Sequence, residues 1–144
     1  MSQSDFDMNL TSGVSAFESK HFAKAMTLLS PLAGKGNPDA QYRLAVMFQN
    51  GLGHVKNAGE AYKWMRAAAE QGHALAQHGL GFMYLQGECA GKDETEAAKW
   101  FRLAAEQGLA GSQMTLGMLY EQGLGVPKDE VEAKKWYQRA DSGN

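Results

Sequence analysis

The stretch KWMRAAAEQG, residues 63–72, is repeated as KWFRLAAEQG at 99–108 and, more loosely, as KWYQRADSGN at 135–144. The copies lie 36 residues apart, and the period extends outward from them. Leu44, Leu80 and Leu116 keep the same step, as do Phe48, Tyr84 and Tyr120, Gly51, Gly87 and Gly123, and Ala61, Ala97 and Ala133. Nearly half of the positions in 40–75 are identical to those in 76–111. Self-similarity at a fixed period of this size marks a stacked repeat.

Each unit reads as two helices. In the first, Ala40, Leu44, Met47 and Phe48 form one apolar stripe at helical spacing and stop at Gly51. In the second, Ala61, Trp64, Met65 and Ala68 do the same and stop at Gly72. Asn57-x-x-Glu60, Asp93-x-x-Glu96 and Asp129-x-x-Glu132 predict capping boxes at the start of each second helix. In such a box the short side chain accepts from the third helical N–H, and the glutamate returns to the cap residue's own N–H. The links GLGHVK, GECAGK and GLGVPK are turn-rich loops. Ala45, Gly81 and Gly117 place a small residue where the paired helices must approach, and Trp64 and Trp100 are expected to fill the wedge between hairpins. A single hairpin leaves an apolar face wet, so hairpins must stack.

The expected fold is therefore all-α, an αα solenoid of about four hairpins. The expected divisions are a divergent capping hairpin at 1–39 and repeats at 40–75, 76–111 and 112–144. Within the first, a helix over roughly 6–19 should reach its partner through a turn at Lys20 and His21. Residues 116–140, LGMLYEQGLGVPKDEVEAKKWYQRA, resemble the Sel1-like repeats, relatives of the tetratricopeptide repeat. The resemblance implies a right-handed superhelix, a protein-interaction scaffold, and no cofactor. It also implies an alternative, a hydrolase of β-lactam or cell-wall type. In relatives that alternative goes with paired cysteines in each repeat, and this chain has the single Cys89.

The bulk composition narrows the function further. Fourteen basic residues against sixteen acidic ones lack the basic excess of a nucleic-acid binder. No apolar run is long enough for a membrane span, and the polar first residues do not read as a signal peptide. Together with one unpaired cysteine, this points to the cytoplasm. No catalytic motif appears. GECAGKD is one residue short of a phosphate-binding loop and has Asp93 where a hydroxyl should stand. The histidines His21, His54, His73 and His78 lack zinc-ligand spacing, so neither a catalytic nor a metal site is expected. Cys89 stands where Gly53 and Gly125 stand in the other loops, and reads as a tolerated substitution. Lys63, Arg66 and Glu70, with Lys99, Arg102 and Glu106, read as a solvated face, with Glu60 and Glu96 pairing with the lysines three residues on.

What varies between units is the other face of the first helices. In the geometry that the resemblance implies, Tyr42, His78 and Met114 form one row of it, and Val46, Phe82 and Met118 the next. Gln49, Leu85 and Glu121 follow, then Asn50, Gln86 and Gln122. Adaptable methionines, aromatics and amides suit the capture of a peptide segment, so this strip is the expected partner-binding groove. His78 adds an expected pH dependence. A last expectation concerns the third repeat, whose closing ADSGN departs from AAEQG. It should expose apolar surface near Val131, Trp136 and Tyr137 and drive weak self-association.

Overall fold

The computed structural model describes residues 2–143. It contains eight α-helices and, among the described residues, no strand. The helices are α1 (Gln3–Glu18), α2 (Phe22–Gly34), α3 (Pro38–Asn50), α4 (Ala58–Glu70), α5 (Ala74–Gln86), α6 (Glu94–Glu106), α7 (Ala110–Gln122) and α8 (Glu130–Ser142). They pair in chain order as four hairpins, α1 with α2, α3 with α4, α5 with α6 and α7 with α8. Contacts divide the chain into two compact units, Met1–His73 and Ala74–Asn144, each holding two hairpins. Within each unit the hairpins pack through α2 on α3 and α6 on α7. The helix α1 begins before the expected Phe6, because the Ser2 hydroxyl caps it by accepting from the Asp5 N–H at 3.1 Å.

The caps of the second helices are half as expected. Asn57, Asp93 and Asp129 accept from the N–H groups of Glu60, Glu96 and Glu132 at 3.0–3.1 Å. The glutamates do not return to the cap N–H groups, which correct the expectation by donating to Phe48, Tyr84 and Tyr120 carbonyls at 2.9–3.0 Å. The loop thus closes onto the end of the first helix and satisfies that donor. The glutamates turn outward to Lys63, Lys99 and Lys135, at 3.5–3.9 Å.

Small residues set the distance between paired helices. A Cβ on Gly81 would stand 2.9 Å from the Phe101 ring, and one on Gly117 2.7 Å from the Tyr137 ring. At the same place the first repeat has the buried pair Ala45 and Met65. The small residue shrinks to glycine where its partner is aromatic and grows to alanine where the partner is methionine. Gly13, packed on Leu29, gives the divergent first hairpin the same contact.

A glutamine ladder, which the sequence reading passed over, joins the two hairpins within each unit. Gln41, Gln77 and Gln113 are buried near the starts of α3, α5 and α7. Gln41 donates to the Ala33 carbonyl at 3.1 Å and Gln113 to the Ala105 carbonyl at 3.0 Å. The glutamine of each EQG, Gln71 or Gln107, donates to the Oε1 of Gln41 or Gln77 at 2.8 Å. The third copy has Gly143 at that position, and the buried Oε1 of Gln113 has no hydrogen-bond partner.

The tryptophans are not equivalent. Trp100 and Trp136 are buried, whereas Trp64 is half-buried beside the core formed by Ala25, Leu29, Leu32 and Leu44, with the Lys63 ammonium 4.6 Å from its ring. The apolar end face expected on α8 is also corrected. Trp136 is 5% exposed, under the Arg139 guanidinium at 4.4 Å, and the Tyr137 ring is packed on Gly117. Exposed Lys134 and Asp141 occupy the positions of buried Ala98 and Ala105, which leaves Val131 as the exposed apolar side chain of that trio. Cys89 holds φ at 66°, a left-handed value that Gly53 and Gly125 adopt without a Cβ.

Two measurements test this packing. In denaturant melts, Trp100→Ala should cost ~3–5 kcal/mol and Trp64→Ala clearly less; equal costs would contradict the burial difference. Gly81→Ala should destabilise by ~1–3 kcal/mol through overpacking. Adding Phe101→Met, to recreate the pair of the first repeat, should recover most of that loss, and a purely additive double variant would refute the coupling.

Candidate functional site

The structure places the expected groove residues on the outward sides of three helices. In the first unit, Tyr42 and Val46 are half-buried on α3 and Asn50 is exposed. In the second unit, His78, Phe82 and Leu85 are half-buried and Gln86 exposed on α5. On α7, Met114 is 49% exposed, Met118 is half-buried and Gln122 is exposed. Each set follows from burying the opposite stripe, Leu80, Gly81, Met83 and Tyr84 on α5 and Leu116, Gly117 and Leu119 on α7.

Around His78 the second unit builds a fixed arrangement. The His78 ring meets Phe82 edge-on at 5.0 Å and Phe101 at 5.4 Å, and those two rings meet each other at 4.9 Å. His78 Nδ1 lies 2.6 Å from Oγ of Ser112, a serine in the column filled by Ala40 and Ala76 in the earlier repeats. Ser112 is fully buried, which denies it a nucleophile's access. A Cβ on Gly111 would come 3.6 Å from His78 Cε1, so the glycine leaves a notch beside the ring. Phe101 and Ser112 were missed by sequence reasoning. The signal was a polar letter in an otherwise alanine column.

The first unit has a different, charged arrangement at the equivalent end of α3. Asp39 Oδ1 lies 3.0 Å from the Arg43 guanidinium and 3.1 Å from His73 Nε2. The Tyr42 ring stacks on His73 at 4.9 Å, and Arg43 sits over the Phe17 ring at 5.5 Å. Burial pushes the Asp39 carboxyl up, but the His73 hydrogen bond and the Arg43 charge outweigh it and hold the group below its usual value. Burial raises the Tyr42 hydroxyl against the pull of Arg43.

The repeat profile described as Sel1 repeat matches residues 38–73, 74–109 and 110–140. This chain belongs to the Sel1 repeat family. Among solved structures, a Sel1 repeat protein from Oxalobacter formigenes is 40% identical with a TM-score of 0.89, over 94% of this chain and 54% of that one. The c5321 protein of uropathogenic Escherichia coli, a protective antigen displaying an SLR fold, is 36% identical with a TM-score of 0.89, over 96% of this chain and 31% of that one. The chain thus spans about half and about a third of those two lengths. Helicobacter pylori cysteine rich protein B shares the fold at 20% identity and a TM-score of 0.62, over 97% of this chain and 89% of that one. No curated protein matches the sequence.

Sel1 repeat proteins are generally protein-interaction scaffolds, and nothing in these likenesses favours a hydrolase. Among the described residues no group of three His, Cys, Asp or Glu side chains is placed to hold a metal ion. Among them, too, no helix is long and apolar enough to cross a membrane. The face expected to be solvated is so only in part. Lys63 and Lys99 have 62% of their side-chain surface open, and Arg66 lies 3.6 Å from Glu70. Arg66 also bonds the Tyr62 hydroxyl at 2.8 Å, and Arg102 covers the Tyr120 ring and donates to its hydroxyl. Both arginines thus donate to a tyrosine hydroxyl, and Arg102 also packs its planar head on the ring.

Burial lowers the His78 pKa from its ordinary 6.5. The fold therefore favours the neutral ring. Its contribution is complete above pH ~6.5 and is lost as the pH falls toward the lowered folded value, because the unfolded chain takes the proton first. His78→Met, the residue of the third repeat, should flatten the stability profile below about pH 6.5. The Asp39 contribution is lost only at lower pH, below its ordinary 3.8. An unchanged acid limb in the variant would show that His78 does not supply it.

Proposed function

We propose that the protein is a non-enzymatic adaptor that binds a segment of a partner protein on the outward face of α5 and α7. Tyr42, Val46 and Asn50 of α3 supply the equivalent strip of the first unit. The carrying observation is that this face departs from the repeat where the core obeys it. His78 and Phe82 of one repeat become Met114 and Met118 in the next, while the buried Leu80 and Leu116 stay fixed.

The chemistry supports peptide capture. Met114 is half exposed, unbranched and adaptable. Phe82 is held edge-on by His78 and Phe101, so little rotamer freedom is lost when a partner covers it. Gln86 and Gln122 are exposed amides that can donate to and accept from an extended backbone.

The test is to capture a partner from the source cell and titrate it against variants, with melting curves as a folding control. Phe82→Ala should weaken binding by ~2 kcal/mol, and Tyr42→Ala or Met118→Ala by less. Because Phe82 also packs on Phe101, Met114→Ser serves as the variant that spares the core; it too should weaken binding. Charge reversal at Lys63 and Lys99 should change nothing. Loss of binding on that reversal, with Phe82→Ala and Met114→Ser unaffected, would move the site to the opposite face.

A further inference from the structure

The face of α5 and α7 has a polarity that the repeat does not require. Neither helix contains a lysine or an arginine, and all the basic residues of the second unit stand on α6, α8 or the loops before them. The apolar strip of Phe82, Met114 and Met118 continues along α7, at helical spacing, to the exposed carboxylate of Glu121. The other repeats have Gln49 and Leu85 at that position.

Glu121 is badly placed for the helix that carries it. It lies in the last turn of α7, where the unpaired carbonyl groups concentrate negative charge and a cation is the favoured neighbour. The last turn holds no basic residue. Glu121 accepts from the Tyr137 hydroxyl, a bond that glutamine could make equally well. Its negative charge is therefore not explained by the fold.

Beside it, between α7 and α8, opens a cleft of about 310 Å³ lined by Glu121, Glu130, Ala133, Lys134 and Tyr137. Ala133, one of the lining residues, is buried. Two carboxylates and one ammonium line it, and none of the salt bridges among the described residues involves Glu121, Glu130 or Lys134. The cleft carries a net negative charge, has a phenol ring in its wall, and lies at the end of an apolar strip.

We infer that the occupant of this face is an apolar peptide segment bearing a lysine or arginine, whose cationic head enters the Glu121–Glu130–Tyr137 cleft while its apolar side chains lie on Met118, Met114 and Phe82. The inference rests on the adaptor reading and adds the chemistry of the partner. The cation offsets both the carboxylates and the C-terminal carbonyls of α7, and a guanidinium can also stack on the phenol. An acidic segment would meet uncompensated repulsion in the same place.

A random peptide display library, selected on the immobilised full chain, tests this directly. Recovered peptides should combine apolar residues with Lys or Arg. One such peptide, synthesised and titrated, should bind Glu121→Gln about fivefold more weakly, with added salt narrowing the difference. It should lose most of its binding to Phe82→Ala and to Met114→Ser. Neutral or acidic peptides that depend on Phe82 and Met114 would overturn this inference and leave the adaptor reading standing. Recovery of no peptide, or of peptides indifferent to both variants, would overturn both.

Discussion

The distance between the two helices of a hairpin is the constraint on which the rest of the structure depends. At Gly81 and Gly117 that distance is so short that one added carbon would strike an aromatic ring. Close approach lets the loop fold back so that each cap residue's N–H reaches the end of the first helix. The same approach buries one stripe of every first helix and turns the opposite stripe outward. A protein interior is packed to crystal density, so one small position and its partner must change together. The pairs Ala45 with Met65, Gly81 with Phe101 and Gly117 with Tyr137 meet that requirement with three different volumes.

Much of this was legible in the sequence, because the constraint acts within each unit and is therefore written once per period. The helices, the loop positions, the N-cap side chains and the small position all recur at the same step. What escaped reading depends on contacts between distant residues. Nothing local says that the Asp93 N–H will prefer the Tyr84 carbonyl to the Glu96 carboxylate. The preference arises only when the loop closes. The glutamines of EQG look like solvated helix ends, yet Gln71 and Gln107 reach back thirty residues to satisfy buried amides. Their period was visible, but polarity argued against burial. In the same way Trp64 and Trp100 share a letter and a position without sharing burial.

The site is legible in a different sense. Its residues are those the period fails to predict, so sequence could mark the strip but not its geometry. That Nδ1 of His78 is tied to a buried hydroxyl depends on Ser112, 34 residues away, standing in for an alanine. That the first unit carries the Asp39, Arg43 and His73 cluster at the equivalent end depends on three further substitutions, each unremarkable alone.

Departures from a repeat thus fall into two kinds that physics can separate. Some repair a local contact, as when glycine accompanies phenylalanine, and these need no partner to explain them. Others make the isolated chain less comfortable than its own repeat would. Glu121 sets a carboxylate against a helix C-terminus where the sister repeats place an amide or a leucine. Met114 keeps half of an apolar side chain in water. Each is small in energy, and a repeat could lose either without altering the hairpin. Both lie on the outward side of α7, with Met118 between them, on the surface left free by the packing of Leu116 and Leu119. Unfavourable choices gathered on one dispensable face are what a surface shaped by something outside the chain would look like, because the compensating contacts are then supplied by the molecule that covers it.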